Sequence, residues 1–210
     1  MHSSRRTFLR TTQSFAIGMM GLKTLSLSGK DSLSHPGYGQ LIKDKNKILD
    51  LPKGFSYKII GKTGDQMSDG FFLPDKPDGM ATFPSSKANE MILVRNHEIN
   101  PGTPAKDGPF GNNNFKLKDI RDDLIYDKGK SSPCMGGTTT VIYDVKKQEV
   151  IRQFLSLTGT VRNCAGGPTP WGTWITCEET VASVGGPFTK NHGWCFEVPA
   201  TESPQLNEPV

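Results

Sequence analysis

The chain has 210 residues, enough for one domain with a core of useful size. Hydrophobic residues make up 34% of it, and 23 glycines and 15 prolines indicate many turns, as in an all-β protein. Five of the 25 basic residues and none of the 21 acidic ones lie in residues 1–30, so the rest of the chain has a net charge of −1. Residues 31–210 are thus nearly neutral and contain no cluster of basic and aromatic residues, which argues against nucleic-acid binding.

Residues 1–30 have the pattern of a twin-arginine signal peptide. Ser4-Arg5-Arg6-Thr7-Phe8-Leu9 precedes an apolar stretch that is too short and too interrupted to span a membrane stably. The alternative, a disordered basic N-terminus, does not explain the apolar run after the arginine pair. The pattern predicts passage through the Tat translocon to the periplasm or the exterior.

Residues 31–50 are polar and predict a linker, which leaves 51–210 as the folded domain. Within that domain, alternation predicts short strands at Phe55–Ile60 and Met80–Phe83. Residues 90–98 read EMILVRNHE, a buried strand that ends in polar side chains. Strand ends open onto the faces of a propeller, so this tip could aim Asn96, His97 and Glu98 into a pocket; the alternative, which composition alone favours, is an ordinary strand end in solvent. His97 is equally open to a structural, hydrogen-bonded role.

Residues 101–133 form a long polar segment that predicts either a lid over a site or a disordered insertion, with a short helix at Asp119–Tyr126. The segments that follow alternate as strands joined by short turns. Four antiparallel strands of this kind are typical of one propeller blade. The predicted strands are Thr138–Val145, Glu149–Leu157, Thr173–Glu178 and His192–Val198.

The four cysteines contain no C-x-x-C pair, which excludes a zinc ribbon. Disulfide formation is an open alternative for Cys134 and Cys195 in an oxidising compartment. For Cys164 we favour a metal thiolate over a buried apolar residue or half of a disulfide.

Residues 161–180 read VRNCAGGPTPWGTWITCEET and carry the strongest functional signal. The glycine pair and the two prolines predict a rigid loop around Cys164. A strand then leads into Glu178 and Glu179, which face opposite ways unless the strand ends or bulges there. Trp171 and Trp174 are predicted to lie in the core.

NCAGGPTPWGTWITCEE closely resembles the signature segment of the PhoX-type alkaline phosphatases, and four further segments agree in order: LPKGFSYKIIGKTGDQMSDG, DGMATF, LVRNHE and GGTTTVIYD. The resemblance spans roughly Leu51 to Ala200. It implies a β-propeller that hydrolyses small phosphate monoesters with Fe³⁺ and Ca²⁺ in one cluster. Cys164 would bind ferric iron, Glu178 or Glu179 would bind iron, and Glu98 would serve iron or calcium.

The predicted strands amount to roughly two blades, whereas a propeller closes with about four or more. The expectation is therefore an incomplete all-β propeller, the N-terminal part of a larger enzyme whose later half supplies further acidic ligands and a basic residue. The alternative function is a non-catalytic, calcium-stabilised propeller acting as an exported binding module. The thiol of Cys164 favours the enzyme, because a structural calcium site needs no thiolate.

Overall fold

A computed structural model describes residues 37–204 and 206–210, so the predicted signal peptide at 1–30 lies outside the described residues. The described chain is built from antiparallel strands, which confirms the predicted all-β class. The strands are β1 (Leu41–Ile42), β2 (Leu51–Pro52), β3 (Pro77–Pro84), β4 (Glu90–His97), β5 (Gly136–Asp144), β6 (Glu149–Thr160), β7 (Asn163–Pro168), β8 (Thr173–Glu178) and β9 (Cys195–Pro199). Four single-turn 3₁₀ helices are found at Ala105–Asp107, Asn112–Asn114, Leu117–Asp119 and Asp122–Leu124.

The chain divides after Lys58 into two compact units. In the first unit, β1 pairs with β2 around a loop organised by Asp44. The Asp44 carboxylate accepts hydrogen bonds from the Tyr57 hydroxyl at 2.6 Å and from the backbone N–H of Ile48 at 3.0 Å. These bonds lower the pKa of Asp44 to about 2. Part of the predicted linker 31–50 therefore belongs to an ordered unit.

The larger unit begins at Ile59 and contains a four-stranded meander in the order β3-β4-β5-β6. A three-stranded sheet follows in the order β7-β8-β9. Inward-facing apolar side chains of both sheets form one core, because alternate residues of each strand point to the same face. That core consists of Phe83, Ile92, Val94, Ile142, Phe154, Leu157, Trp174, Phe196 and Val198.

Residues 101–133 pack over a second hydrophobic core, so this segment is not a disordered insertion. Phe110, Ile120 and Ile125 are buried there with Leu155 of β6. Prolines, glycines and consecutive asparagines disfavour an α-helix in this region, and the chain turns through short 3₁₀ helices. The predicted helix at Asp119–Tyr126 is replaced by single turns and irregular backbone, although this stretch contains no proline, glycine or asparagine; tertiary packing that buries Ile120 and Ile125 overrides its local preference.

Four further local predictions were wrong. The four strands predicted as one blade divide between two sheets. The segment around Cys164 was predicted as a rigid loop, but it forms strand β7 and pairs with β8. The second sheet is therefore built on β7. A bulge between Asn163 and Gly166 lets this glycine-rich edge strand follow its partner. Residues 55–60 have no strand partner in the described structure. Trp174 is buried, as predicted, but Trp171 is 70% exposed.

Candidate metal centre

The side chain of Asn96, near the end of β4, joins the two sheets. Its Nδ2 donates to the carbonyl oxygens of Cys164 at 3.1 Å and Ala165 at 3.0 Å. Its Oδ1 accepts a hydrogen bond from Trp174 Nε1 at 2.8 Å. Asn96 is fully buried, and both its Nδ2 and its Oδ1 are hydrogen-bonded. It therefore fixes the position of the Cys164 backbone relative to β4.

Gly79 of β3 allows β7 to approach closely at the same point. A Cβ atom at Gly79 would lie 2.5 Å from the carbonyl oxygen of Cys164. We expect Gly79→Ala to displace the Cys164 backbone and to lower the free energy of unfolding by about 1–3 kcal/mol, the usual cost of overpacking. Urea unfolding followed by tryptophan fluorescence measures this change.

Gly167→Ala is the matched control, because a Cβ there would meet no atom within 4 Å. Equal unfolding free energies for the Gly79 and Gly167 variants would contradict the close approach of β3 and β7.

Arg162, in the turn between β6 and β7, connects the ends of β4 and β8. Its backbone N–H donates to Ile99 O at 3.1 Å, and its carbonyl accepts from the Glu179 N–H at 2.9 Å. Its guanidinium Nη2 lies 2.6 Å from Glu179 Oε2, and its Nε lies 3.6 Å from Glu98 Oε1. Two carboxylates that are far apart in sequence are thus held around one cation.

The backbone of Arg162 is strained. Its φ is +53°, in the left-handed region that a non-glycine residue rarely adopts. Its Nε is also buried without a hydrogen-bond partner among the described residues. Backbone strain of this kind costs on the order of 1–3 kcal/mol and clusters at functional sites. Arg162 therefore marks this junction as a candidate site.

The side chains at this junction suit more than one metal. The side chains of Glu98 and Glu179 are 27% and 57% exposed, so both carboxylates are accessible. Cys164 is half-buried and lies two residues beyond Arg162. Carboxylates suit calcium, and a thiolate suits a softer transition metal. By residue type these three side chains suit the two kinds of metal, and Cys164 is connected to the junction along the chain through Arg162.

Glu178 is the last residue of β8 and has a different environment from Glu179, which follows the strand. Oε1 of Glu178 accepts hydrogen bonds from the Val161 N–H at 2.8 Å and from His192 Nδ1 at 2.7 Å. Oε2 accepts from the backbone N–H groups of Gly193 at 2.7 Å and Trp194 at 3.2 Å. The Glu178 side chain is completely buried, and each of its oxygens already has two donors.

His192 lies between Glu178 and a second buried carboxylate, Asp127. His192 Nε2 is 3.2 Å from Asp127 Oδ2. Although burial disfavours its charged form, hydrogen bonds and charge from Glu178 and Asp127 raise the pKa of His192 overall. Each ring nitrogen of His192 therefore faces a carboxylate oxygen, and the three side chains form one buried network.

Cys134 completes a second group that could hold a metal. Its Sγ is 3.9 Å from His192 Nε2, and the ligand atoms of Asp127, Cys134 and His192 all lie within 4.8 Å of one another. Burial and the nearby carboxylates raise the pKa of Cys134 to about 12. Both Asp127 oxygens also accept hydrogen bonds from the loop at Thr189. The group could bind a metal, but its members are already bonded to one another.

All four cysteines are free thiols. Cys134 and Cys195 have different neighbours: Cys134 lies beside His192, whereas Cys195 Sγ is 3.1 Å from Cys177 Sγ. Burial, the hydrogen bond with Cys195 and the nearby thiols, including Cys164, raise the pKa of Cys177 to about 11.

His97 has a structural environment. Its Nδ1 is 2.9 Å from Asp75 O, and its Nε2 is 2.8 Å from Thr139 Oγ1. Complete burial and the charge of Arg95 lower the pKa of His97 to about 3, so the ring is neutral. The polar tip of β4 thus aims Glu98 outward, while Asn96 and His97 point into the protein.

The structure brings Glu98 and Glu179 together at Arg162, which is two residues along the chain from Cys164. Glu178 lies instead in the buried network with His192 and Asp127. The metal-binding roles of these four residues stay predictions. Sequence reasoning missed the group of Asp127, Cys134 and His192. No local pattern could have revealed it, because its members come from three distant segments.

In the described part of the chain, no helix is long and apolar enough to cross a membrane. Comparison with curated proteins and with solved structures finds no match. The family model described as alkaline phosphatase PhoX matches residues 36–210, which is most of the chain and confirms the resemblance found in the sequence. This protein therefore belongs to the PhoX alkaline phosphatase family.

Proposed function

We propose that this chain belongs to a metal-dependent enzyme that hydrolyses small phosphate monoesters. The observation that carries the proposal is the junction at Arg162, where Glu98 and Glu179 contact one guanidinium two residues along the chain from Cys164. Family membership supports the reaction class. The half-exposed carboxylates support a site that a small substrate can reach.

For this site we propose Cys164, Glu98 and Glu179 as ligands of an Fe³⁺ and Ca²⁺ cluster. Glu178 is the less suitable of the two adjacent glutamates, because four protein donors already occupy its oxygens. We assign it a positioning role: its hydrogen bonds hold the end of β8, and Glu179 is the next residue.

When bound, the metals would supply Lewis acidity toward the phosphoryl oxygens and the leaving oxygen. The chain itself orients the ligands. Asn96 holds the carbonyl groups of Cys164 and Ala165, and Arg162 keeps Glu98 and Glu179 at one place. Preorganised ligands need less rearrangement when metal binds.

We further propose that the protein acts outside the cytoplasm after export by the Tat pathway, and that its fold is part of a β-propeller. The twin arginine pattern at Arg5-Arg6 supports export. The β3-β4-β5-β6 meander supports the propeller, since a blade is a four-stranded antiparallel sheet.

A phosphatase assay on the protein expressed from its complete gene tests the function. With p-nitrophenyl phosphate we expect hydrolysis that a chelator abolishes and that iron plus calcium restores. Glu179→Gln should lower kcat/KM by about 10²-fold or more, because it removes a charged ligand.

Glu149→Gln is the control, since Glu149 is an exposed residue whose carboxylate lies 3.6 Å from Lys147 Nζ. An intact, metal-loaded protein without phosphatase activity would support the alternative, an exported binding module stabilised by calcium.

A further inference from the structure

Cys177 and Cys195 stand directly opposite each other on β8 and β9. The adjacent pair is hydrogen-bonded through its backbone, with the Glu178 N–H donating to Trp194 O at 3.0 Å. Antiparallel pairs alternate, so Cys177 and Cys195 form a non-hydrogen-bonded pair, in which the Cα atoms lie about 4.5 Å apart. This separation falls within the range that a disulfide spans, about 4.4–6.8 Å.

The side chains already face each other. The two Sγ atoms are 3.1 Å apart, so bond formation requires only a small movement of side chains. The other two cysteines are less suitable partners. Cys134 is buried against His192, and Cys164 is not opposite Cys195 in the sheet register.

We propose that Cys177 and Cys195 form a cross-strand disulfide when the protein meets a disulfide oxidant. Cys195 is exposed, so its thiolate attacks the oxidant, a small-molecule or protein disulfide, and releases one thiol. Cys177 then attacks the mixed disulfide and releases the second thiol. The two cysteines lose two electrons and two protons, and the oxidant is reduced to two thiols.

The bond has two consequences for the neighbouring site. It closes the loop 178–194, which contains Glu178, Glu179 and His192, and so fixes the end of β8. It also removes two thiols that would compete with Cys164 for a soft metal. The proposal itself depends only on the sheet register and the thiol positions, and it holds whether or not the protein is a phosphatase.

Peptide mapping tests the proposal directly. The purified full chain is incubated with oxidised glutathione, alkylated under denaturing conditions and digested without reductant. We expect one linked peptide pair, Cys177 with Cys195, with Cys134 and Cys164 alkylated. Alkylation of all four cysteines, or a link that involves Cys164 or Cys134 in place of this pair, would overturn the proposal.

A thermal measurement provides a second readout. Oxidation should raise the Tm of the full chain by roughly 5–10 °C, since the bond closes a loop of moderate length. Cys195→Ser should abolish both the linked peptide and the Tm shift, and Cys177→Ser is the reciprocal variant. Cys134→Ser should retain the linked peptide. A Tm shift that persists in the Cys195 and Cys177 variants would count against the bond as its cause.

Discussion

Replacing Cys164 with alanine is expected to abolish most phosphatase activity while leaving the fold intact. The side chain is half-buried at the start of β7, and the hydrogen bonds at this position use its carbonyl oxygen. Alanine therefore keeps the link to Asn96 and removes only the thiol. Loss of the thiolate ligand should reduce kcat/KM by about 10²–10³-fold, the equivalent of roughly 3–4 kcal/mol of transition-state stabilisation.

The measurement is steady-state hydrolysis of p-nitrophenyl phosphate by the metal-loaded protein, with circular dichroism to verify folding. Cys134→Ala is the matched control, because it removes the thiol of the other group that could hold a metal. If activity were lost in the Cys134 variant and retained in the Cys164 variant, the site would lie at Asp127 and His192 instead.

Asn96→Ala is expected to be among the most destabilising substitutions in the chain. It removes one buried and two partly buried hydrogen bonds and leaves Trp174 Nε1 and the carbonyl groups of Cys164 and Ala165 without this partner. Each buried polar group left unpaired costs about 1–3 kcal/mol, so we expect a loss of about 3 kcal/mol or more. Thermal unfolding should show a Tm lower by roughly 6–12 °C.

Asn89→Ala provides the comparison, since Asn89 is exposed and a surface substitution usually changes stability by less than about 0.5 kcal/mol. If the Asn96 and Asn89 variants unfolded at the same temperature, Asn96 could not be the connection between the two sheets.

The sequence predicted the fold class and most strands because their alternation is a local property. In β8 the alternation predicted opposite directions for Glu178 and Glu179 only if the strand continued through Glu179; the strand ends at Glu178, whose side chain is buried, whereas the Glu179 side chain is 57% exposed. The same local reasoning failed at β7. A run of glycine and proline predicts a loop, yet this run pairs with β8 because glycine at 166 lets the Ile175 carbonyl approach closely.

The candidate site was only partly predictable for the same reason. The sequence identifies Cys164, Glu98 and one of Glu178 and Glu179 as ligands, but it cannot show that Arg162 brings Glu98 and Glu179 together. That contact depends on two tertiary hydrogen bonds, from the Arg162 N–H to Ile99 O and from the Glu179 N–H to Arg162 O. The facing thiols of Cys177 and Cys195 likewise depend on the register of two strands, which a long intervening loop separates.

The most direct test of the central claim is the metal content of the protein with and without the Cys164 thiol. The chain is purified after export, and its iron and calcium are measured by mass spectrometry in the wild type, Cys164→Ala and Cys134→Ala. We predict bound iron in the wild type and in the Cys134 variant, and loss of iron in the Cys164 variant. Iron that remains in Cys164→Ala would contradict the proposed centre at Cys164, Glu98 and Glu179.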